Sequence, residues 1–343
     1  MTNLKYFAIS GSPYELGLQL GAFGRSVVHN YLIHSHAWKK LMGWRNHPSV
    51  TAMKQLVFQH FPEIWQEIQG LADGLSLPFE EVFIWNARGD LWAQAPDGCS
   101  SILQNSPYPR STHNEDGDPS FYGYCGIAHV RPNSSAEFIS FVYPGSIPGH
   151  TFALNQYQLS ITVNNIRALS AQKGIPRMVL CRAALNCPDH QTIIELLTKH
   201  PRSGAFNLNI IDVNKQVLSI EFNDSEISIH RIDAPYFHAN HAIHTLMRDY
   251  PQCITGSSGY RQLQGNYLIN HPHWDHNPLT ILGDTNHKYF PIYRRQENDT
   301  DNENTIATVD LQYNDDNPHW TVYDDPHHTP IFSFINLSKI PVS

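Results

Sequence analysis

No stretch of 18 or more apolar residues occurs in this chain, so nothing in it reads as a membrane-spanning helix, and no membrane partner is expected. A surplus of positive charge is missing too: 23 Lys and Arg stand against 31 Asp and Glu, a formal net charge of −8. Nucleic-acid binding depends on neutralising phosphates with a basic face, so this balance excludes nucleic acid as a partner. Cysteines are few, five in all, odd in number and without close pairs. That excludes a disulfide framework and points to a reducing compartment, and no two are spaced as a zinc knuckle requires. The opening Met1 to Phe7 lacks a charged head followed by a long apolar core, so export is not expected and a cytoplasmic location is. No address signal is readable at Pro341-Val342-Ser343. Nor does a repeat or linker divide the chain, and a single domain over 1–343 is expected.

What is present fits an ordinary soluble globular protein with a sizeable core: 343 residues, 41% apolar and 16% charged. Histidine is abundant, at 21 residues, so metal binding has to be weighed. Ser12-Pro13-Tyr14-Glu15 is a helix start in which Ser12 caps and Glu15 completes a capping box. Leu16, Leu20, Phe23 and Val27 follow at helical spacing. Further helices are expected over Ser49 to His60, over Pro62 to about Ala72 with Gly74 as its stop, and from Pro78. From Cys99 onward the period changes. Strands are expected over Ser101 to Leu103, Phe138 to Tyr143, Leu159 to Val163, Phe206 to Asp212, Val217 to Phe222 and Ile227 to Ile232. Later ones lie near Thr305 to Tyr313, His319 to Tyr323 and Ile331 to Phe334. Helices at Pro176 to Leu185, Asp189 to Lys199 and Tyr260 to Leu268 fall between them, a pattern of sheets covered by helices. The acidic, Asn-rich Gln296 to Asn304 reads as a surface loop.

The chain is organised around Ala95-Pro96-Asp97-Gly98-Cys99-Ser100-Ser101, where helical sequence gives way to strands. Cysteine is the strongest neutral-pH nucleophile among side chains, but it needs a base or a lowered pKa. If Cys99 attacks the Gly98 carbonyl and the Gly98–Cys99 bond breaks, the freed α-amine is that base. An α-amine titrates at about 7.7–8.0 and a thiol near roughly 8.5, so proton transfer between them is nearly balanced. Gly98 suits the processing position because it tolerates strained backbone and close attack. Gly-Cys-Ser alone is a weak signal, since a Cys entering a strand is commonly a core residue.

Over nearly its full length the chain resembles the acyl-CoA:isopenicillin N acyltransferase family of N-terminal-nucleophile hydrolases. Gly11 to Gly21 looks like that family's first helix, and Asp97-Gly98-Cys99-Ser100-Ser101 matches its processing site, with Ser where Thr is commoner. His113-Asn114-Glu115-Asp116 sits at its Asn-x-Asp element, and Ser203-Gly204-Ala205-Phe206-Asn207 at its Ser-x-x-x-Asn strand entry. Tyr236 to His241 resembles its His-x-Asn-His signature, and Ser257-Ser258-Gly259-Tyr260-Arg261 its Ser/Arg segment. The resemblance implies an α+β fold, the four-layer αββα sandwich. It implies cleavage into a small fragment, 1–98, and a large fragment, 99–343, that stay associated. The implied reaction is acyl transfer at an amide of a small molecule, with Cys99 forming a thioester and water or an amine accepting the acyl group; no cofactor is called for. Asn207 would aim its amide at the oxyanion, a donor worth several kcal/mol when preorganised. Asp116 would orient the new α-amine, although Gly117 replaces the family's following aromatic; otherwise Asp116 is a solvated turn acid. Arg261, with Ser258, would hold a substrate carboxylate; otherwise Arg261 is a surface residue. His238, Asn240 and His241 would support the site as a packed polar cluster.

Two other functions remain open at this level. His271-Pro272-His273-Trp274-Asp275-His276 has the His-x-His-x-Asp-His form of metallo-β-lactamase-type hydrolases. With His271, His273, Asp275 and His276 as ligands it would make a zinc-dependent hydrolase. Against it, the motif falls late in the chain and Asn277-Pro278 replaces the Gly-rich turn. The third reading is a binding protein that keeps the sandwich and never processes itself.

Overall fold

Ser12 and Pro13 set the first helix as their chemistry requires: Ser12 Oγ accepts from the Glu15 backbone N–H at 3.4 Å, and the Glu15 carboxylate accepts from the Ser12 N–H at 2.8 Å. The structure, a computed structural model, describes residues 4–95, 98–169, 174–296, 299 and 301–342. Pro96 and Asp97 of the expected processing stretch lie outside the described residues.

In chain order the upstream part is β1 (Lys5–Gly11), α1 (Pro13–Asn30), α2 (His36–Leu41), α3 (Pro48–His60), α4 (Pro62–Leu75), α5 (Phe79–Trp85) and α6 (Arg88–Leu91). Then come β2 (Gly98–Gln104), β3 (Arg110–Gly117), β4 (Gly126–Pro132), β5 (Phe138–Val142), β6 (Phe152–Asn155), β7 (Ser160–Ile166), α7 (Arg177–Ala184) and α8 (His190–Lys199). The last part holds β8 (Ala205–Ile211), β9 (Val217–Phe222), β10 (Ile227–Arg231), β11 (Tyr236–His238), α9 (Gly256–Ile269) and α10 (Pro278–Leu282). It closes with β12 (Asn304–Gln312), β13 (His319–Tyr323), β14 (Phe332–Ile335) and β15 (Ser338–Ile340).

The described strands form two sheets. One runs β1-β4-β5-β6-β7-β8-β9-β10 and the other β11-β2-β3-β12-β13-β14-β15, with only the β1–β4 pair parallel. They stack through β2 on β7 and β3 on β8. Helix α1, with α4 packed along it, covers the first sheet at β1 and β4, while α9 and α10 cover the second at β11, β2 and β3. The layers are therefore helix, sheet, sheet, helix: an α+β αββα sandwich.

The α1–α4 contact is glycine-made. A Cβ on Gly70 would stand 1.9 Å from the Tyr14 carbonyl oxygen, and one on Gly17 1.9 Å from that of Glu67. The helices can approach this closely only because no side chain separates them. Helix α4 does not stop at Gly74; it continues to Leu75 and ends on Ser76 in the left-handed region, φ 58°.

Strand β3 has no aliphatic residue, yet it lies inside the second sheet between β2 and β12. Hydrogen bonds take the place of apolar packing. Thr112 donates to Asp310 at 2.9 Å, Asn114 donates to the Leu282 carbonyl at 2.8 Å, and Ser111 bonds Thr162 across the sheets at 3.3 Å. The acidic stretch near residue 300 is a correction to the surface-loop expectation. Asp299 and Glu303 turn inward onto Arg294, with side chains 3% and 2% exposed. A buried guanidinium needs counter-charge, and this loop supplies it.

Candidate active site

Cys99 is the second residue of β2 and is 3% exposed. Strand pairing puts Gly98 opposite Asp116 and Cys99 opposite Glu115. A Cβ on residue 98 would come within 2.4 Å of Glu303 Oε2, so a larger residue before the thiol would have to displace the Glu303 carboxylate.

One side chain holds both reactive atoms of Cys99. Asn240 Oδ1 accepts from the Cys99 backbone N–H at 3.0 Å, and Asn240 Nδ2 donates to Sγ at 2.9 Å. The amide cannot turn over, because Arg261 Nη2, a pure donor, also bonds Asn240 Oδ1, at 2.6 Å. Arg261 is 1% exposed; it further donates to the Cys99 carbonyl at 2.5 Å and to Ser100 Oγ at 2.8 Å. It is neither a surface arginine nor open to a substrate carboxylate in this arrangement. Ser258, fully buried on α9, accepts from the Asn240 N–H at 3.0 Å and pairs with His241 Nδ1 at 2.8 Å, so it fixes the loop after β11. Burial pulls His241 down to about 4, with the charges of His238 and Arg261 adding to it. His238 is fully buried, its Nε2 on Glu221 at 2.9 Å and its Nδ1 on the Ala239 carbonyl at 2.8 Å.

The second donor to the sulfur comes from the other sheet. Asn164 on β7 directs Nδ2 at Sγ, 3.3 Å, and at the His238 carbonyl, 3.2 Å. Asn207 stands one bond further back: its Nδ2 donates to Asn164 Oδ1 at 3.3 Å and to Asn209 Oδ1 at 2.9 Å, not to sulfur. Asn164 was missed by sequence reasoning, although two consecutive Asn within a strand, Asn164-Asn165, are the kind of anomaly that marks a site.

Asp116 is fully buried in β3, not a solvated turn acid. Its Oδ1 accepts from Thr305 Oγ1 at 2.7 Å, and among the described residues Oδ2 has no hydrogen-bond partner. Burial pushes this carboxyl up to about 6, against the pull of Arg261 and Arg294. The Cys99 thiol is pushed up to about 12, first by burial and then by the Glu115 carboxylate. In the unbroken chain this thiol therefore keeps its proton at neutral pH.

Two cavities bear on this region, and the smaller opens on Gly98 and Cys99. A small one of about 10 Å³, room for one water, is lined by Gly98, Cys99, Glu115, Val163 and Phe206. A larger one of about 370 Å³ is walled by Tyr31, Trp92, Asp118, Arg167, Asp301 and Glu303. Glu303, on the wall of the larger cavity, is the group a Cβ on Gly98 would meet first. Arg167, which pairs with Glu303 at 3.2 Å, holds the Ala95 carbonyl at 2.6 Å.

The His271–His276 motif does not assemble a metal site. Among the described residues no three His, Cys, Asp or Glu side chains converge as ligands. Asp275 Oδ1 is used locally, accepting from the Asn277 N–H and Thr280 Oγ1, each at 3.0 Å, in the turn that starts α10.

A helix-covered double sheet encloses this cysteine and its donors, and the family it matches is one of acyl-transferases and amide hydrolases. The chain belongs to the acyl-coenzyme A:6-aminopenicillanic acid acyl-transferase family, whose model matches residues 109–326. It is 23% identical over 338 residues to a β-alanyl-dopamine/carcinine hydrolase of Drosophila melanogaster, covering 87% of each chain. Among solved structures it overlaps a mutant of the conjugated bile acid hydrolase of Clostridium perfringens, with a TM-score of 0.43 and 10% identity over 72% of this chain and 97% of that one. A penicillin V acylase of Agrobacterium tumefaciens overlaps at a TM-score of 0.32, with 10% identity over 66% and 75%. The sandwich is given by this chain's own two sheets and the helices that cover them. Among the described residues, no helix is long and apolar enough to cross a membrane.

Proposed function

We propose that the chain is a self-processing amidohydrolase or N-acyltransferase whose mature nucleophile is an N-terminal Cys99. The observation that carries the reading is the shared grip of Asn240 on the Cys99 nitrogen and sulfur, 3.0 and 2.9 Å. In this reading one amide would hold together the future α-amine and the attacking sulfur, as a base and its nucleophile need.

In processing, Sγ adds to the Gly98 carbonyl, the Gly98–Cys99 C–N bond breaks, the nitrogen takes the thiol proton, and water hydrolyses the Gly98 thioester. In turnover the α-amine takes the thiol proton and Sγ attacks the substrate carbonyl. The ammonium then protonates the leaving amine, and a thioester remains. Water, or a second amine, accepts the acyl group and returns the thiol. The Asn164 amide is the donor placed to meet the developing oxyanion, with Asn207 holding Asn164 from behind. Asp116 Oδ2, beside Gly98 in the strand pairing, receives the new ammonium. Arg261 and Ser258 act through Asn240 as positioning residues.

Fragments 1–98 and 99–343 stay together in this reading as one domain. Strand β1 is an edge of the first sheet, Glu67 takes Arg182 Nε at 2.9 and 3.1 Å, and Asp90 accepts from the Arg177 N–H at 3.1 Å. The Drosophila relative's name makes β-alanyl amides the substrates to try first. Mass spectrometry of the expressed protein tests the reading. Masses for 1–98 and 99–343, absent in Cys99→Ala, are expected; an intact chain that hydrolyses amides overturns it, and an intact chain without activity leaves a binding protein.

A further inference from the structure

The inner face of the first sheet carries polar side chains where apolar packing against the second sheet would be ordinary. Strand pairing sets Asn164 beside Asn207 across β7 and β8, and Asn209 beside Ser219 across β8 and β9. All four are at most 1% exposed, so their polar atoms need partners inside the protein. Two backbone carbonyls, which can only accept, decide which way the amides face. The His238 carbonyl takes Asn164 Nδ2 at 3.2 Å, and the Thr162 carbonyl takes Asn209 Nδ2 at 3.3 Å. Asn164 Oδ1 is thereby left to accept from Asn209 Nδ2 at 2.8 Å and from Asn207 Nδ2 at 3.3 Å. Asn207 in turn presents Oδ1 to Ser219, whose hydroxyl donates at 2.7 Å. A hydroxyl has one proton, so Ser219 Oγ can only accept from His244 Nε2, 3.2 Å away. His244 is held as the Nε2–H tautomer, with the Tyr236 hydroxyl as a second acceptor at 3.1 Å and Ser228 Oγ donating to Nδ1 at 3.1 Å. Burial draws this imidazole down to about 4, against the pull of Glu221, so it is neutral.

Resting on the reaction proposed above, we infer that Ser219 and His244 are positioning residues for it. They complete a chain of donors, His244 Nε2–H to Ser219, Ser219 to Asn207 and Asn207 to Asn164, that ends on Cys99 Sγ at 3.3 Å. Donors in series polarise one another, so each link strengthens the next toward the sulfur. The chain also fixes the amide planes. Without the Ser219 hydroxyl, Asn207 Oδ1 loses that donor, and its amide can turn away from Asn164. A donor already in place is worth far more to a developing oxyanion than one that must first be turned. Ser219 and His244 stand three and four links behind the sulfur, so their effect falls on kcat and leaves KM near its wild-type value.

The test reads kcat and KM on β-alanyl p-nitroanilide, per mole of processed protein, for wild type, Ser219→Ala and Ser219→Thr. Ser219→Ala is expected to lose about 3- to 10-fold in kcat with KM unchanged, the worth of one ordinary hydrogen bond, and Ser219→Thr, which keeps the hydroxyl, to recover most of it. A processed Ser219→Ala with wild-type kcat, or Ser219→Thr as slow as Ser219→Ala, overturns the assignment. If Ser219→Ala does not fold or process, His244→Phe and His244→Gln decide. His244→Phe, which has no donor, should be slower by about 2- to 5-fold, and His244→Gln, whose Nε2 can stand in for the ring N–H, close to wild type. Equal rates in the two overturn the assignment. Nitrogen NMR of histidine-labelled wild-type protein, with the His244 signal assigned by its absence from His244→Gln, is expected to show the Nε2–H tautomer, and an Nδ1–H tautomer overturns the chain. A wild-type chain that stays whole and releases no nitroaniline overturns the reaction, whereas the tautomer decides on its own whether the donors run as described.

Discussion

Two short stretches of this chain carry catalytic chemistry in their letters, Gly98 to Ser101 and His271 to His276, and folding treats them in opposite ways. Around Cys99, side chains from β7, the loop after β11 and α9 close on one buried sulfur and its backbone. At His271 to His276 the side chains spread over an exposed turn; the His271 and His273 rings lie 5.4 Å apart with tilted planes, and Asp275 caps the turn into α10. The second motif is the richer one on paper. Convergence from distant segments separates them, because reactive groups need partners that fix their orientation and exclude water.

The sharpest way to break the contrast is at the nucleophile. Cys99→Ala should abolish both fragments and all amide turnover, read by mass spectrometry and by product release. Turnover surviving that substitution would move the chemistry elsewhere in the molecule. Next in size is Asn240→Ala, which removes the donor to sulfur and the acceptor from the Cys99 N–H while leaving Arg261 without one acceptor. A loss of about 10²- to 10³-fold in kcat is expected, comparable to deleting an oxyanion donor. Equal kcat in the processed variant would show that Asn240 only shapes the loop.

A smaller effect belongs to stability. Asp116, at about 6 when folded against an ordinary 3.8, binds a proton more tightly in the folded chain. Between those values the folded state holds more protons than the unfolded one, so stability falls as pH rises through that window. The cost at neutral pH is about 3 kcal/mol. Asp116→Asn should flatten this decline in urea denaturation between pH 4 and 7, and a slope equal to wild type would mean that another buried acid, such as Asp90, sets it. Gly70→Ala should cost about 1–3 kcal/mol by forcing α1 off α4, seen as a Tm lowered by a few degrees.

The same contrast explains what could be read in advance. Helix starts were legible because caps are local chemistry, as at Ser12 and Glu15 and at Asp189, which caps α8. Strands such as Phe206 to Asp212 and Val217 to Phe222 showed their apolar character. Strand β3 did not: Arg-Ser-Thr-His-Asn-Glu-Asp-Gly has no apolar period, because its burial is balanced by hydrogen bonds to other strands. Cys99 and its glycine were legible as a pair. Which Asn reaches the sulfur was not, since Asn164 and Asn207 face one another across a strand pair and only the stacking of the sheets decides between them. The acids near residue 300 misled for a related reason: their partner, Arg294, is close in sequence, but its burial is a property of the whole sandwich.

The least effect is expected at the rival, metal-type motif. His273→Ala and His276→Ala should leave fragment masses and amide turnover as in wild type, with stability moved by at most about 1 kcal/mol, more at His276, which stands in the left-handed region at φ 58° beside the Trp274 ring. Asp275→Ala is the exception within the turn, since it removes the acceptor for Asn277 N–H and Thr280 Oγ1 at the start of α10, at a cost of about 1 kcal/mol. A double substitution of His271 and His273 that strips stoichiometric zinc from the purified protein, with turnover lost in step, would reverse the comparison. The exposed turn would then be the reacting centre, and the buried thiol a core residue.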